Sequence, residues 1–377
     1  LRGRSRTKVF RALSLCTPAE GYTVAVLTKA SRQLFARTPD ESVPDFGTLL
    51  DRCWEQRNRS RDRWQLPQTI TPVPLEGGVG LEVEGGERFA LNDWSFTQLC
   101  KMAQVSKETV NKLTPETAAT ALAETLPVGK KPTQLLTAGG AVRAVHGTNY
   151  SRLWNADLVD AVADAAAGTF AAPPKGFNGA TGLYLGEQDL FAFLIDPDGW
   201  CEVDGEAFAP GFFVWNSEVG RRSVGVQTFW FQQVCQNHIV WDATEVEEAT
   251  WTHTTRVDEA IPTIRKLVAA LARKRDERRD TFVKVLRKAV RTELGSDAEE
   301  ALKALTRHGI PQGLGRLACE QCHQQGKRFT VFALVDALTQ MNREARFAGD
   351  RTEADIRAAS LLKLVADASD RIALLAA

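Results

Sequence analysis

The sequence has no surplus of charge: 47 Lys and Arg stand against 47 Asp and Glu in 377 residues. No overall field therefore draws the chain to DNA or to an anionic membrane. Any polyanion surface must come from gathering basic residues on one face. Long apolar runs are also missing, and a bilayer span needs roughly 18 to 20 such residues in succession. The basic start, Leu1 to Arg11, is not followed by the apolar core and cleavage site of a signal peptide. The chain begins at Leu1, so a leader ahead of it stays open. Histidine is scarce, and His146, His238, His253, His308 and His323 stand alone, outside any HxxxH, HExxH or nucleophile-elbow context. The glycine stretch Glu76-Gly77-Gly78-Val79-Gly80 lacks the Lys-Ser/Thr of a phosphate loop and reads as a turn. Seven cysteines, an odd number, lie mostly in apolar contexts (Cys16, Cys53, Cys100, Cys201, Cys235). That pattern suits free thiols in a reducing compartment, so the cytoplasm is expected.

What is present suits a globular α+β chain, with 44% apolar and 25% charged residues. The expected core is a small, curved antiparallel sheet with a β-hairpin against long helices, followed by a helical C-terminal part. Four regions are expected: an N-terminal extension (1–45), an α/β region (46–170), a β-rich core with hairpin and basic helix (171–295), and a helical end (296–377). The spacing predicts a basic amphipathic helix over Phe46 to Trp64, with Leu49, Leu50, Cys53 and Trp54 inward and arginines 52, 57, 59, 61 and 63 crowding its end. Asn92 or Asp93 can cap a helix running to Met102, and Ser106 a short one after it. Strands are expected within 134–150 and a helix over 155–167. The run Ala171-Ala172-Pro173-Pro174-Lys175-Gly176 then breaks the chain.

From 180 to 241 the pattern is β-rich. Asp189 to Ile195 is apolar on both faces, so the sheet must be covered on both sides, by helices or a neighbouring subunit. Phe212 to Ser217 and Val224 to Cys235 form a hairpin around Glu218-Val219-Gly220-Arg221-Arg222. Its tip is basic, through Arg221 and Arg222, and its arms carry Trp215, Asn216, Gln227, Trp230, Gln232 and Gln233. Cations that track phosphates, beside rings that stack bases, are what single-strand binding requires. Val257 to Leu294 follows as one basic helix or a broken pair, with Arg273, Lys274, Arg275, Arg278, Arg279, Lys284, Arg287 and Lys288 around its apolar stripe. Further helices are expected over 296–307, 329–346 and 352–375. Cys319-Glu320-Gln321-Cys322-His323 matches a haem-attachment pattern, and Cys319, Cys322 and His323 (with His308) could offer zinc ligands. A second Cys pair is missing, and ordinary thiols are preferred; no cofactor is expected.

The hairpin also carries a resemblance. Phe213 to Ser223, followed by Phe231-Gln232-Gln233-Val234-Cys235-Gln236-Asn237-His238, resembles the central signature of a phage- and plasmid-associated family, domain of unknown function 932. There an Asn-Ser-x-x-Gly hairpin precedes a Val-Cys-x-Asn segment. Leu91 to Phe96, Tyr150 to Asn155 and Phe329 to Thr339 resemble its flanks, and the likeness covers residues 45–365. It implies a mobile-element setting and a fold similar to ring-forming single-strand annealing proteins. The expected function is thus non-catalytic binding and annealing of single-stranded DNA in recombination, as a homo-oligomer and away from membranes. Alternatives are a protein-interaction or anti-defence factor of a mobile element, and a metal-dependent nuclease.

Overall fold

A computed structural model describes residues 33–175, 181–233, 237–239, 249–254 and 256–366. The chain is α+β, with two sheets where one was expected. Sheet one runs β1 (Glu41–Ser42), β8 (Leu183–Leu185), β9 (Leu190–Ile195), β11 (Glu206–Asn216), β12 (Val224–Gln232), β13 (Asn237–Ile239). Two short strands join it, β10 (Cys201–Val203) on β11 and β14 (Ala249–Trp251) on β12. All its pairings are antiparallel. Sheet two comprises β2 (Ser60–Gln65), β3 (Thr71–Leu75), β4 (Gly78–Glu82), β5 (Arg88–Leu91), β6 (Thr133–Ala138) and β7 (Ala141–His146). Its order is β2-β6-β7-β5-β4-β3, with β5 and β7 parallel.

Helices α2 (Asp93–Met102), α3 (Lys107–Val110) and α4 (Pro115–Thr125) serve sheet two. Asn92 caps α2 through a capping box with Ser95, and Ser106 caps α3, as their positions before apolar runs predict. Phe96, Leu99 and Leu122 pack there against Leu81, Leu135 and Val142.

Sheet one is apolar on both faces, and the chain's own helices cover both. One face carries Ala192, Leu194, Phe212, Val214 and Val226. It packs against α1 (Phe46–Arg59), α5 (Asn155–Ala166) and α6 (Ala260–Arg273). Farther along this face, Phe208 and Trp230 meet α7 (Arg275–Arg291), α9 (Gln312–Gln324) and α10 (Val331–Asn342), with α8 (Ala298–Arg307) outside them. The opposite face, with Phe191, Phe193, Phe213, Phe229 and Phe231, receives Ala348 and Ile356 of α11 (Ala348–Ala359). The cuts expected at 170/171 and 295/296 both run through shared cores. Leu49 and Val159 pack with Phe212, and Val285 packs with Leu334.

The helix expected over Phe46 to Trp64 ends at Arg59. Ser60 Oγ donates to the Gln56 carbonyl (2.7 Å), and the chain continues as β2, paired from Ser60 opposite Ala138 to Gln65 opposite Thr133. The alternation of charge along β2 suits an edge strand. Trp54, expected inward, is 37% exposed. The basic run after Val257 is a broken pair. Lys274 leaves helical geometry between α6 and α7, so one apolar stripe serves two different cores. The last expected helix begins at Ala348 rather than Thr352; its expected end lies outside the described residues, as do Val234 and Cys235 of the expected hairpin arm.

Candidate nucleic-acid interface

The turn between β11 and β12 joins the two sheets. Asn216, Ser217, Glu218 and Val219 are all at most 1% exposed. Asn216 Nδ2 donates to the Leu153 carbonyl (2.8 Å) and to Asn155 Oδ1 (2.9 Å). Ser217 Oγ donates to the Gln188 carbonyl (2.6 Å) and accepts from the Arg221 amide (2.9 Å). The Glu218 carboxylate accepts from Arg143 Nη1 (2.9 Å) and from the Asn155 amide (2.7 Å). Its carbonyl accepts from the Tyr150 hydroxyl (2.8 Å) and from Arg152. Val219 packs on Leu136 and Ala144 of sheet two, and its carbonyl accepts from Trp94 Nε1 (2.7 Å). Gly220 adopts φ +74°, where a Cβ would sit 2.8 Å from His146.

Beside this joint His146, Tyr150 and His253 form a buried stack, with ring centroids 3.6 Å and 5.2 Å apart. Burial, helped by Arg152, pushes His146 down to about 3 and His253 down to about 4, and burial raises the Tyr150 hydroxyl. Both imidazoles are therefore neutral packing groups.

Past Gly220 the turn changes character. Arg221 and Arg222 both face the Asp189 carboxylate, with Nε atoms at 3.5 Å and 3.3 Å, and Arg37 approaches it at 3.1 Å. Burial pushes the Asp189 carboxyl up, against the pull of Arg222, Arg37 and Arg221. Arg222 also pairs with Glu353 and with Asp350 (3.8 Å) of α11. Gly349 lets α11 lie this close, because a Cβ there would run into the Arg222 guanidinium.

Between this turn, the open end of sheet one and α11 lies a cavity of about 380 Å³. Phe191, Phe213 and Trp215 provide aromatic surface. Arg221, Arg222 and Gln227 line it too, with Thr250, Thr352 and Glu353. Trp215 stands opposite Gly225, where a Cβ would strike its ring, and packs on Phe213 with centroids 5.3 Å apart. Gln227 Oε1 is buried without a hydrogen-bond partner. A flat ring with polar edges fits such a lining, with two guanidiniums for an attached phosphate. The Asp350 and Glu353 carboxylates now at Arg222 are 53% and 58% exposed, so a ligand can displace them into water.

Of the residues picked from sequence, Trp215, Arg221, Arg222 and Gln227 meet in this cavity. Others do not. Trp230 is fully buried, stacked on Phe282 of α7 with centroids 3.9 Å apart and planes 6° apart, so it is core and cannot receive a base. Asn216 is equally buried in the joint, and Gln232 is buried with Nε2 donating to Glu206 (3.3 Å). Gln233 is exposed at the far end of β12. Arg278 is 2% exposed and donates to the Gly211 carbonyl (3.4 Å), which removes it from any surface.

Arg275 pairs with Asp196 and Asp198, and Arg279 with Asp276 (2.9 Å) and Asp280 (3.2 Å). Arg273, Lys274, Lys284, Arg287 and Lys288 lie on α6, α7 and their junction. Those helices pack on the sheet face opposite α11, so their cations line a different surface from the cavity.

Cys319 and Cys322 point into the core beneath α10, where burial raises the first thiol and pushes the second up to about 11. His323 is exposed and turned away. The described residues contain no group of three or more His, Cys, Asp or Glu able to hold a metal ion.

Phe191, Phe213, Thr250, Thr352 and Glu353 were not singled out from the sequence. Aromaticity marks the first two, but nothing local marks the others. No family model, curated protein or solved structure matches the chain.

Proposed function

We propose that this chain binds single-stranded nucleic acid without chemistry, admitting a base to the cavity between the hairpin turn and α11. One observation carries this reading: aromatic rings, two guanidiniums and an unpartnered buried amide oxygen line a single cavity. A single strand offers the matching groups, a ring with a polar edge and a phosphate one sugar away. Stacking on protein rings tolerates any base, so the site would hold strands of mixed sequence. The family resemblance adds the setting, strand annealing in mobile-element recombination by an oligomer. That oligomer rests on the resemblance, since the chain's own helices cover the doubly apolar sheet.

A second reading has its own observation. Ala260 to Arg291 holds eleven Lys and Arg, all but Arg278 outside the core, against three Asp and Glu, on helices whose outer side faces away from the cavity. Such a face suits an acidic protein partner as well as a phosphate backbone.

Labelled single-stranded and duplex oligonucleotides, titrated at two salt concentrations and followed by anisotropy, separate the readings. Expected are a preference for single strands, a steep loss with salt, and weakened binding in Arg221→Gln, which leaves Arg37 and Arg222 on Asp189. Absence of binding at low salt would overturn the strand reading and leave the basic helices to a protein partner.

A further inference from the structure

A smaller cavity, about 200 Å³, lies on another side of α11. Arg343, Arg346 and Arg351 converge on it from α11 and the loop before it, with Tyr184, Ser42 and Asp40 opposite. Three guanidiniums repel one another unless anions lie among them, and the described residues supply few. Asp40 is already engaged, accepting from Arg37 (3.2 Å) and from the Ala348 amide (2.9 Å). Asp355 lies 3.6 Å from Arg351 and accepts from Asn342 (2.9 Å). Burial pushes its carboxyl up to about 7, so near neutral pH it compensates the arginines only in part.

Arg343 and Arg346 have no carboxylate within 4.0 Å among the described residues. Arg346 lies over the Phe347 ring at 5.9 Å, and Arg343 Nε is buried without a hydrogen-bond partner. Guanidinium forks match the oxygens of phosphate in geometry as well as charge.

We propose that this cavity binds a phosphate-class oxyanion, held by Arg343 and Arg346 with Arg351 and the Tyr184 hydroxyl beside them. The site stands apart from the strand-binding reading. Helix α11 presents Gly349, Thr352 and Glu353 to the larger cavity, and Ala348 and Arg351 to this one. Free phosphate and the backbone phosphate of a strand share the required chemistry.

Inorganic phosphate titrated into the full chain at constant ionic strength, against chloride, tests the site by calorimetry and thermal melting. A saturable heat is expected, with a rise in melting temperature that chloride does not give. Arg343→Gln/Arg346→Gln should weaken binding by roughly tenfold or more, the scale of one charged hydrogen bond. Arg287→Gln, on α7, should leave it unchanged. No saturable binding at low ionic strength, or equal binding by the double variant, overturns the proposal. If the double variant does not fold, Arg346→Gln alone decides at an exposed position: weaker binding supports the site and unchanged binding removes it. Displacement of a labelled strand by phosphate would assign the site to backbone phosphate. Phosphate binding without displacement would assign it to a free oxyanion, and the site stands either way. A chain that binds phosphate but no strand would end the strand reading alone.

Discussion

Asn216 to Gly220 and Arg221 to Gln227 follow one another in the same hairpin, yet their side chains serve different ends. In the first group Asn216 to Val219 are closed off from water and bonded to elements of both sheets, through Arg143, Tyr150, Asn155 and Trp94. In the second, Arg221, Arg222 and Gln227 reach a cavity floored by rings and edged by charges that can exchange partners, while Val224 and Val226 point into the core of the other face. A short run that looks like a binding signature can thus be mostly a joint. Asn216 and Ser217 of the Asn-Ser-x-x-Gly motif fasten the turn to Leu153, Asn155 and Gln188, Glu218 and Val219 tie it to sheet two, and the proposed recognition falls to their neighbours. The two halves should therefore separate under mutation, the first costing fold and the second costing ligand.

The largest effect is expected in the joint. Glu218→Ala leaves Arg143 buried without its partner, and breaking a buried pair from one side costs about 3–5 kcal/mol. Gly220→Val adds strain at φ +74° and a clash with His146, so it should destabilise on a similar scale. Urea unfolding of both variants checks this. Full stability together with lost strand binding would erase the division between the halves.

Acid should strain the same region. His146 and His253 have folded values of about 3 and about 4, below the ordinary 6.5, so the stability they contribute is complete above 6.5 and lost as pH falls. Asp355, raised to about 7, works the other way, favouring the fold at low pH and losing that contribution as pH rises through 7. Between about pH 4.5 and 6 the unfolded chain holds nearly two protons on the imidazoles that the folded chain lacks, and the folded chain holds one on Asp355. These three groups together give stability that rises with pH, on the order of 1 kcal/mol per pH unit. Asp355→Asn removes the opposing proton and should roughly double that slope. An unchanged slope in that variant, from urea unfolding at about pH 4.5 and 6, would mean that Asp355 is already ionised in the fold, and a flat one that the imidazoles are not buried neutral.

Local chemistry made much of the fold legible. The Asn92 and Ser106 caps, the helix after Trp154, and the two arms of the hairpin all follow from spacing and turn residues. Other features depend on register and on contacts distant in sequence. Trp215 pairs with Gly225, and Trp230 lies an odd five residues beyond it, so the two rings point to opposite faces. That follows at once from the register, but a seven-residue turn does not specify the register as a two-residue turn does. Asp189 meets Arg37, Arg221 and Arg222 only through the fold. Likewise, nothing in the sequence says that α11 will lie against the hairpin. The switch from helix to strand at Ser60 is a tertiary choice as well, made by pairing with β6.

In the second half of the hairpin, effects should fall on binding. Trp215→Ala removes ring surface worth about 1–3 kcal/mol per stacked base, roughly a 5- to 150-fold loss of strand affinity. The ring is only partly buried, so unfolding should change less than in the joint variants. Gly225→Ala should copy the binding loss by displacing the ring that lies across it. A large loss of stability with intact binding would return Trp215 to the core and leave the cavity without its floor.

The smallest effect is expected on the basic helices. Lys284→Gln/Arg287→Gln removes two charges from α7, on the side of the sheet away from the cavity. If these cations only raise the local concentration of a strand, their loss should weaken binding about twofold to threefold at low salt. The difference should vanish near physiological salt, where the Debye length is about 8 Å. A loss that persists there, with a salt slope lower by about two, would mean direct phosphate contacts. The strand would then wrap both sides of sheet one, and the contrast between the halves of the hairpin would describe only part of the interface.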